Sequence, residues 1–386
     1  IKSVAARAAH ALEAVYEAEG DHAAVTQMLG IQIEQLRGPK KAEAQKKLGA
    51  LLWDVGDDAA AFSQYEAVIA VDQSDDEVRI RYVELARRLG KQGDASKMLT
   101  RAAAAVKDPS ARGRINLESA RLLAEAGDPK RARLILQTVL DQAESEVALE
   151  AARVMREISP GAKALAPVLE ALARLSNDND EKLSALTQLA ELYEGDLKDT
   201  SLAIQARTRI LTLDPSRDSA DLERLLEMRG EYDRLVEVLE ARASGMGIDD
   251  ERRELLVRAA LLHIERTNNA PEARRILDSL LALHGPSREV HALLLPLLTE
   301  PAFLEQRTAV LTAELELVSD EERVAVSAEL AAALLGSGKT ELALDAFAEV
   351  LGLDSSEPVA RRELLELAQS GQPEHKLRAA SVLAPI

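Results

Sequence analysis

The 386-residue sequence contains no cysteine. That absence removes disulfide staples, thiolate zinc sites and cysteine nucleophiles together. Aromatic residues are nearly as scarce, at 2% of the chain. A core made of Ala, Leu and Val suits close-packed helices, whose backbones approach over small side chains, better than sheets fed by β-branched and aromatic residues. No run approaches the roughly eighteen uncharged apolar residues of a membrane span, and the N-terminus lacks the basic, apolar and small-residue succession of a secretory signal. The expected compartment is the cytoplasm, or the periplasm if a signal has been removed. Because the chain opens at Ile1 and not at Met, a piece of a longer parent is expected.

Positive charge is also in deficit. Lys and Arg number 48 against 66 Asp and Glu, for a net charge of -18. Divided at residue 193, the halves carry -4 and -14. Nucleic-acid binding needs a cationic footprint that releases counterions from phosphates, so this field argues against DNA and RNA and favours a basic partner.

Hydrophobic residues at 47% and charged residues at 30% mark a folded chain, and self-comparison shows how it is organised. Small residues ahead of paired aliphatics recur at Ala61, Ala132, Ala203, Ala273 and Ala343, at intervals of 71, 71, 70 and 70 residues. Seven residues beyond each stands Val68, Val139, Ile210, Leu280 or Val350, on the same helical face two turns away. A second class of unit lies between these copies, seen from Val15 and again, 210 residues on, from Leu225. Two alternating units of about 35 residues therefore make one super-repeat, and 386 residues hold about eleven helix pairs. Expected pair boundaries follow Arg37, Gln73, Lys107, Ala143, Ser176, Asp214, Met246, Gly285, Val318 and Leu353. The dipeptides Gly20-Asp21, Gly56-Asp57, Gly93-Asp94 and Gly127-Asp128 read as helix ends, glycine taking the left-handed position and aspartate capping the next helix. Pro160, Pro301 and Pro373 fit first turns. The expectation is one all-α solenoid array over residues 1–386, with a candidate hinge near 176–182.

Leu48-Gly49-Ala50-Leu51-Leu52 followed by Gly56-Asp57, Ala61 and Tyr65 resembles the tetratricopeptide repeat (TPR). So does Leu189-Ala190-Glu191-Leu192-Tyr193 with Ala203 and Asp214-Pro215. The even-numbered units carry most of the motif, although Gln45 stands where the family has Trp and Arg207 replaces an aromatic. The resemblance implies a right-handed superhelix whose first helices line a concave, partner-binding groove.

Several constellations have a plainer reading. Gly336-Ser337-Gly338-Lys339-Thr340 spells the end of a phosphate loop, but position 333 is Ala and a helical stretch precedes it, so a turn between helices is expected. Asn177 to Glu181 alternates oxygen ligands suited to calcium, yet the central glycine and terminal glutamate of such a loop are out of register. A capped turn fits better. The six histidines include no pair at four-residue spacing and no HExxH, so neither metal nor cofactor is expected. His263, seventy residues beyond Tyr193, is expected to pack.

The implied groove face runs through Lys46, Ala50 and Trp53; Leu117, Arg121 and Ala124; Thr187, Glu191 and Glu194; Val257, Leu261 and Ile264; and Ala328, Ala332 and Leu335. The last two sets are apolar, and a helix with Leu293, Leu294, Leu295, Leu297 and Leu298 is expected between them. Such a stripe either docks an amphipathic helix or extended peptide, or is buried on both sides by tight curvature. Trp53, the lone tryptophan, is an anchor candidate and equally a core-edge ring. Partner-facing candidates are thus Lys46, Ala50, Trp53, Arg121, Val257, Leu261, Ile264, Ala328, Ala332 and Leu335. The expected function is a non-enzymatic scaffold for other proteins or peptides, basic or amphipathic. End-to-end self-assembly into an oligomer or filament is the alternative. A pentatricopeptide-like RNA binder is disfavoured by charge and by the lack of a repeating base-reading pair.

Overall fold

A computed structural model describes residues 2–142, 145–215, 217, 219–247 and 250–384. Among them every regular element is helical: twenty-two α-helices and two 3-10 turns. Consecutive helices pair as hairpins, and the chain divides into two units, Ile1–Leu213 and Asp214–Ile386.

The first unit opens with α1 (Lys2–Glu19) and α2 (His22–Gln35), then α3 (Gly38–Asp54) and α4 (Asp58–Ile69). Next come α5 (Asp76–Arg88) and α6 (Gln92–Ala105), and α7 (Pro109–Glu125) and α8 (Pro129–Gln142). It ends with α9 (Ser145–Ile158) and α10 (Ala162–Leu175), and α11 (Asn179–Glu194) and α12 (Thr200–Leu213). The second unit holds α13 (Ala220–Arg229) and α14 (Tyr232–Ser244), α15 (Asp250–Glu265) and α16 (Ala270–His284), and α17 (Arg288–Leu294) and α18 (Leu304–Glu314). Its last pairs are α19 (Asp320–Gly336) with α20 (Thr340–Leu353), and α21 (Pro358–Ser370) with α22 (Pro373–Leu383). The expected pair boundaries fall in the turns between these hairpins or, at Leu353, on the final residue of α20. Ala143 lies outside the described residues.

The repeat has a packing cause. Ala61, Ala132, Ala203, Ala273 and Ala343 are all fully buried, and their aliphatic companions seven residues on are buried too. A methyl group there lets the second helix of a hairpin lie close to the first. Gly49 carries this further: a Cβ on it would stand 2.7 Å from Cε1 of Tyr65, so α3 and α4 touch ring against backbone. Within each unit every helix packs on the next, and in the first unit α5 and α9 also reach α7. This is the nearest-neighbour stacking of a solenoid.

Turns follow the glycine-aspartate reading at three of four places. Gly20, Gly56 and Gly127 have positive φ; Asp21 and Asp57 cap Ala24 and Ala60, and Asp128 accepts from Arg131 N. Gly93-Asp94 differs, lying inside the first turn of α6, and Gly90 at φ 68° takes the left-handed position instead. Of the three prolines, Pro373 opens α22 and Pro301 opens a 3-10 turn, whereas Pro160 precedes α10. The leucine run after α17 is not one helix. Pro296 cannot continue the hydrogen-bond ladder, so Leu295–Leu297 forms a 3-10 turn, with Leu294 and Leu298 buried on either side.

The candidate hinge at 176–182 lies within the first unit. Asp178 caps α11 by accepting from Asp180 N, and Ser176 Oγ donates to Glu181 at 2.6 Å. Arg153 of α9 grips Glu181 with two bonds of 2.8 Å. The Arg153 bonds, with Ser176, hold the Glu181 carboxyl down to about 2. A carboxylate depressed in the folded state stabilises above its unfolded pKa, and the benefit fades as pH falls through the folded value. Half-exposed Arg153 screens the pair, so about 1–2 kcal/mol should disappear between roughly pH 4.5 and 2. Urea unfolding across that range should show it, and Glu181→Gln should flatten that component; an unchanged slope in the variant would refute the linkage.

Candidate functional site

The first helices of the first unit are joined by a charged ladder. Lys46 of α3 meets Asp75 at 2.8 Å and Glu77 at 3.1 Å. Arg79 of α5 meets Glu118 of α7 at 2.5 Å, and Arg87 meets Glu125 at 2.8 Å. Arg121 of α7 meets Glu150 of α9 at 2.9 Å, and Arg153 continues to Glu181 of α11. The second unit repeats the device, Arg258 reaching back from α15 to Glu223 of α13, Arg253 forward to Glu289 of α17, and Arg288 to Glu322 of α19. Partner charges shift the groups accordingly. The hydrogen bond to Asp75 lifts Lys46 above the ordinary lysine value, while burial pushes Glu118 up despite Arg79 beside it.

Three adjoining crevices flank α3, and Glu43 lines all of them. The largest, about 540 Å³, lies among α1, α2 and α3, with Leu29, Leu36 and Ala44 as apolar lining and Arg7, Lys40 and Lys47 as cations. Glu13 in its wall is buried; it accepts from Gln32 Nε2 at 2.7 Å and pairs with Lys47 at 3.4 Å. A crevice of about 300 Å³ opens between α3 and α5 and one of about 320 Å³ between α3, the end of α4 and the turn before α5, the two sharing Lys46. Ala50, Tyr65 and Arg81 line the first; Pro39, Val68 and Asp75 line the second.

The expected groove residues therefore separate. Lys46 and Ala50 come together at the crevices beside α3. Trp53, half-buried on the same helix, packs on the core cluster of α4 and α5, with the Arg88 guanidinium 4.4 Å and Arg81 5.9 Å from its ring. The ring thus lies between that cluster and two guanidinium groups. Arg121 sits farther along the ladder, committed to Glu150. In the second unit Leu261, Ile264, Ala332 and Leu335 are half-buried. Val257 and Ala328 are a correction to the open stripe: Val257 is buried, and Ala328 is fully enclosed with Ala343 and Phe347 of α20. Both face neighbouring helices because the apolar arc of α15 and α19 is wider than one contact seam.

Other constellations resolve as packing. Gly338 takes φ 81° between α19 and α20, with its N–H and that of Lys339 closing on Leu335 and Leu334 carbonyls. This is a helix-terminating turn, and Lys339 precedes the helix without opening a phosphate cradle. His263 is buried, its Nδ1 2.9 Å from Thr267 Oγ1. No helix among the described residues is long and apolar enough to cross a membrane. The ladder and the crevices escaped sequence reading. The ladder's pairings span 28 to 39 residues and carry no local signature.

No family model matches the chain, and a search of curated proteins finds no match. Similar solved structures include the C-terminal part of a TPR repeat-containing protein from Cytophaga hutchinsonii, 18% identical over 57% of this chain and 86% of that one, with TM-score 0.34. Yeast Tom70 is 13% identical, covering 100% and 99% of the two chains with TM-score 0.27. PilF of Pseudomonas aeruginosa is 18% identical, covering 59% and 99% with TM-score 0.28. Superpositions this loose add nothing to the geometry above. The chain's own hairpins, alternating on a period near 35 residues, make it a TPR-like helical repeat.

Proposed function

We propose that the chain is a non-catalytic scaffold that binds a segment of another protein in the crevices flanking α3. The supporting observation is that the crevices adjoin one another, combining an apolar lining at Leu29, Leu36 and Ala44 with charged flanks at Lys40, Glu43 and Lys46. An amphipathic helix or extended segment matches that mixture. Locally the charges nearly balance, Arg7, Lys40 and Lys47 against Glu13 and Glu43, so a basic partner is favoured only by the long-range field of an acidic chain.

A peptide library displayed on phage and selected against the full chain tests this. Selected peptides should lose at least about tenfold in affinity on Ala50→Glu, equivalent to roughly 1.4 kcal/mol. They should keep it on Leu134→Glu, which changes an exposed position of α8. Circular dichroism would establish that both variants remain helical. Peptides indifferent to Ala50→Glu, or lost equally with Leu134→Glu, would remove the site.

A further inference from the structure

The near balance of charge around the largest crevice does not extend to the crevice of about 320 Å³ beside the turn before α5. Three carboxylates line that crevice, Glu43, Asp72 and Asp75, against one ammonium, Lys46. Arg7 and Lys40 line the largest crevice and not this one. Two of the carboxylates are engaged. Asp75 binds Lys46 and caps α5 by accepting from Val78 N at 3.1 Å, and Asp72 accepts from the Ser74 amide and hydroxyl at 3.0 and 2.6 Å. Glu43 has no hydrogen bond or ion pair among the described residues. Its own helix offers three candidates, because Lys40, Lys46 and Lys47 stand three or four residues away, the spacing at which opposite charges pair. Lys46 is drawn instead to Asp75 and Glu77, and Lys47 to Glu13. Glu43 is thus left open in the wall that all three crevices share. The rest of the lining is apolar: Pro39, Ala42, Val68 and the exposed Val71.

We infer that this crevice takes a lysine or arginine side chain of the bound segment, its aliphatic stem along Pro39 and Val71 and its charged head at Glu43. The inference rests on the reading that the crevices flanking α3 hold a partner segment, and it fixes the chemistry of one residue on that segment. A metal ion is a poorer match. No group of three metal ligands converges among the described residues, and a bare cation has no use for the apolar wall. A long cationic side chain uses both, covering apolar surface with its methylenes while the head stays hydrated beside a carboxylate. The volume lies near the bottom of the range for ligand sites, roughly 300–1,000 Å³, which suits one side chain and not a helix. The net charge of -18 draws a cationic segment in and opposes a second copy of the chain.

The test takes the displayed peptides that lose affinity on Ala50→Glu. Each should carry a Lys or Arg whose replacement by Met, which keeps an apolar stem, costs about tenfold in affinity on the wild-type chain and about twofold or less on Glu43→Gln. Glu43→Lys should weaken the same peptides further, and exchanging their cation for Glu should restore binding to that variant. Glu43 is exposed and bonds nothing that folding needs, and circular dichroism would establish that both variants stay helical. Peptides that respond to Ala50→Glu yet bind Glu43→Gln as they bind wild type would overturn the inference and leave the site standing, as would an equal cost of the Met replacement on both chains. Peptides indifferent to Ala50→Glu would remove the site and the inference with it. A dimer of the chain, seen by light scattering and dissociated by Glu43→Lys, would also overturn it, since the occupant would then be a second copy.

Discussion

Replacing Tyr82 by Ala should cost the first unit about 3–5 kcal/mol, the range for deleting a buried aromatic. Tyr82 is wholly enclosed and stacks on Phe62 with centroids 4.5 Å apart and an interplanar angle of 17°. In a core with so few rings, this pair supplies bulk that no neighbouring alanine can replace, and the cavity would open between α4 and α5. Replacement by Phe should act in the opposite sense. The Tyr82 hydroxyl is buried without a hydrogen-bond partner among the described residues, and the same burial drives its pKa upward. Removing that oxygen should leave stability unchanged or raise it by up to about 1–2 kcal/mol. Urea unfolding followed by fluorescence reads both, because Trp53 is the sole tryptophan and packs on the same cluster. A Phe variant weakened by a kilocalorie or more would mean the hydroxyl is satisfied; an Ala variant within about 1 kcal/mol of wild type would mean the cluster collapses to fill the space.

The second large effect concerns Arg79. Its side chain, 7% exposed, binds Glu118 through Nε and Asp76 through a terminal nitrogen at 2.6 Å. Arg79→Met keeps the stem but strands Glu118, and breaking a fully buried pair costs about 3–5 kcal/mol. Glu118 retains 24% side-chain exposure, so about 2–4 kcal/mol is expected here. The sign with pH is specific. Burial raises the Glu118 pKa in the folded state, and loss of Arg79 raises it further. The folded variant therefore takes up a proton more readily than the unfolded chain, and its deficit relative to wild type shrinks as pH falls through that raised value. Adding Glu118→Gln to Arg79→Met should recover part of the loss at neutral pH. A deficit independent of pH, with no recovery in the double variant, would show that packing of the arginine stem and not charge is responsible.

The hairpin ladder was legible because its signal is local. Ala61 and Val68 lie on one helical face two turns apart, and that spacing survives whatever the neighbours do. The Gly56-Asp57 turn reads from two adjacent residues for the same reason. The Gly93-Asp94 misplacement came from the competing Gly90, three residues earlier, which ends α5 first. Pro296 was available in the sequence to break the leucine run; the density of leucines outweighed it. The site was less legible. Whether Ala328 faces a groove or α20 depends on how wide an arc its neighbours cover, which periodicity does not record. The crevices beside α3 arise from where three helices diverge, and Lys46, Glu43 and Lys47 look like any solvated stretch until Asp75 and Glu13 are brought to them.

The buried alanines also act as shims. Each sets the clearance between adjacent rods whose axes run about 8–10 Å apart, and in a stack where each hairpin rests on the adjoining ones an added ångström tips what lies beyond it. Bulk introduced at Ala132 would thus be felt less where it is inserted than at the far end of the same unit, where a small local wedge has become a displaced surface.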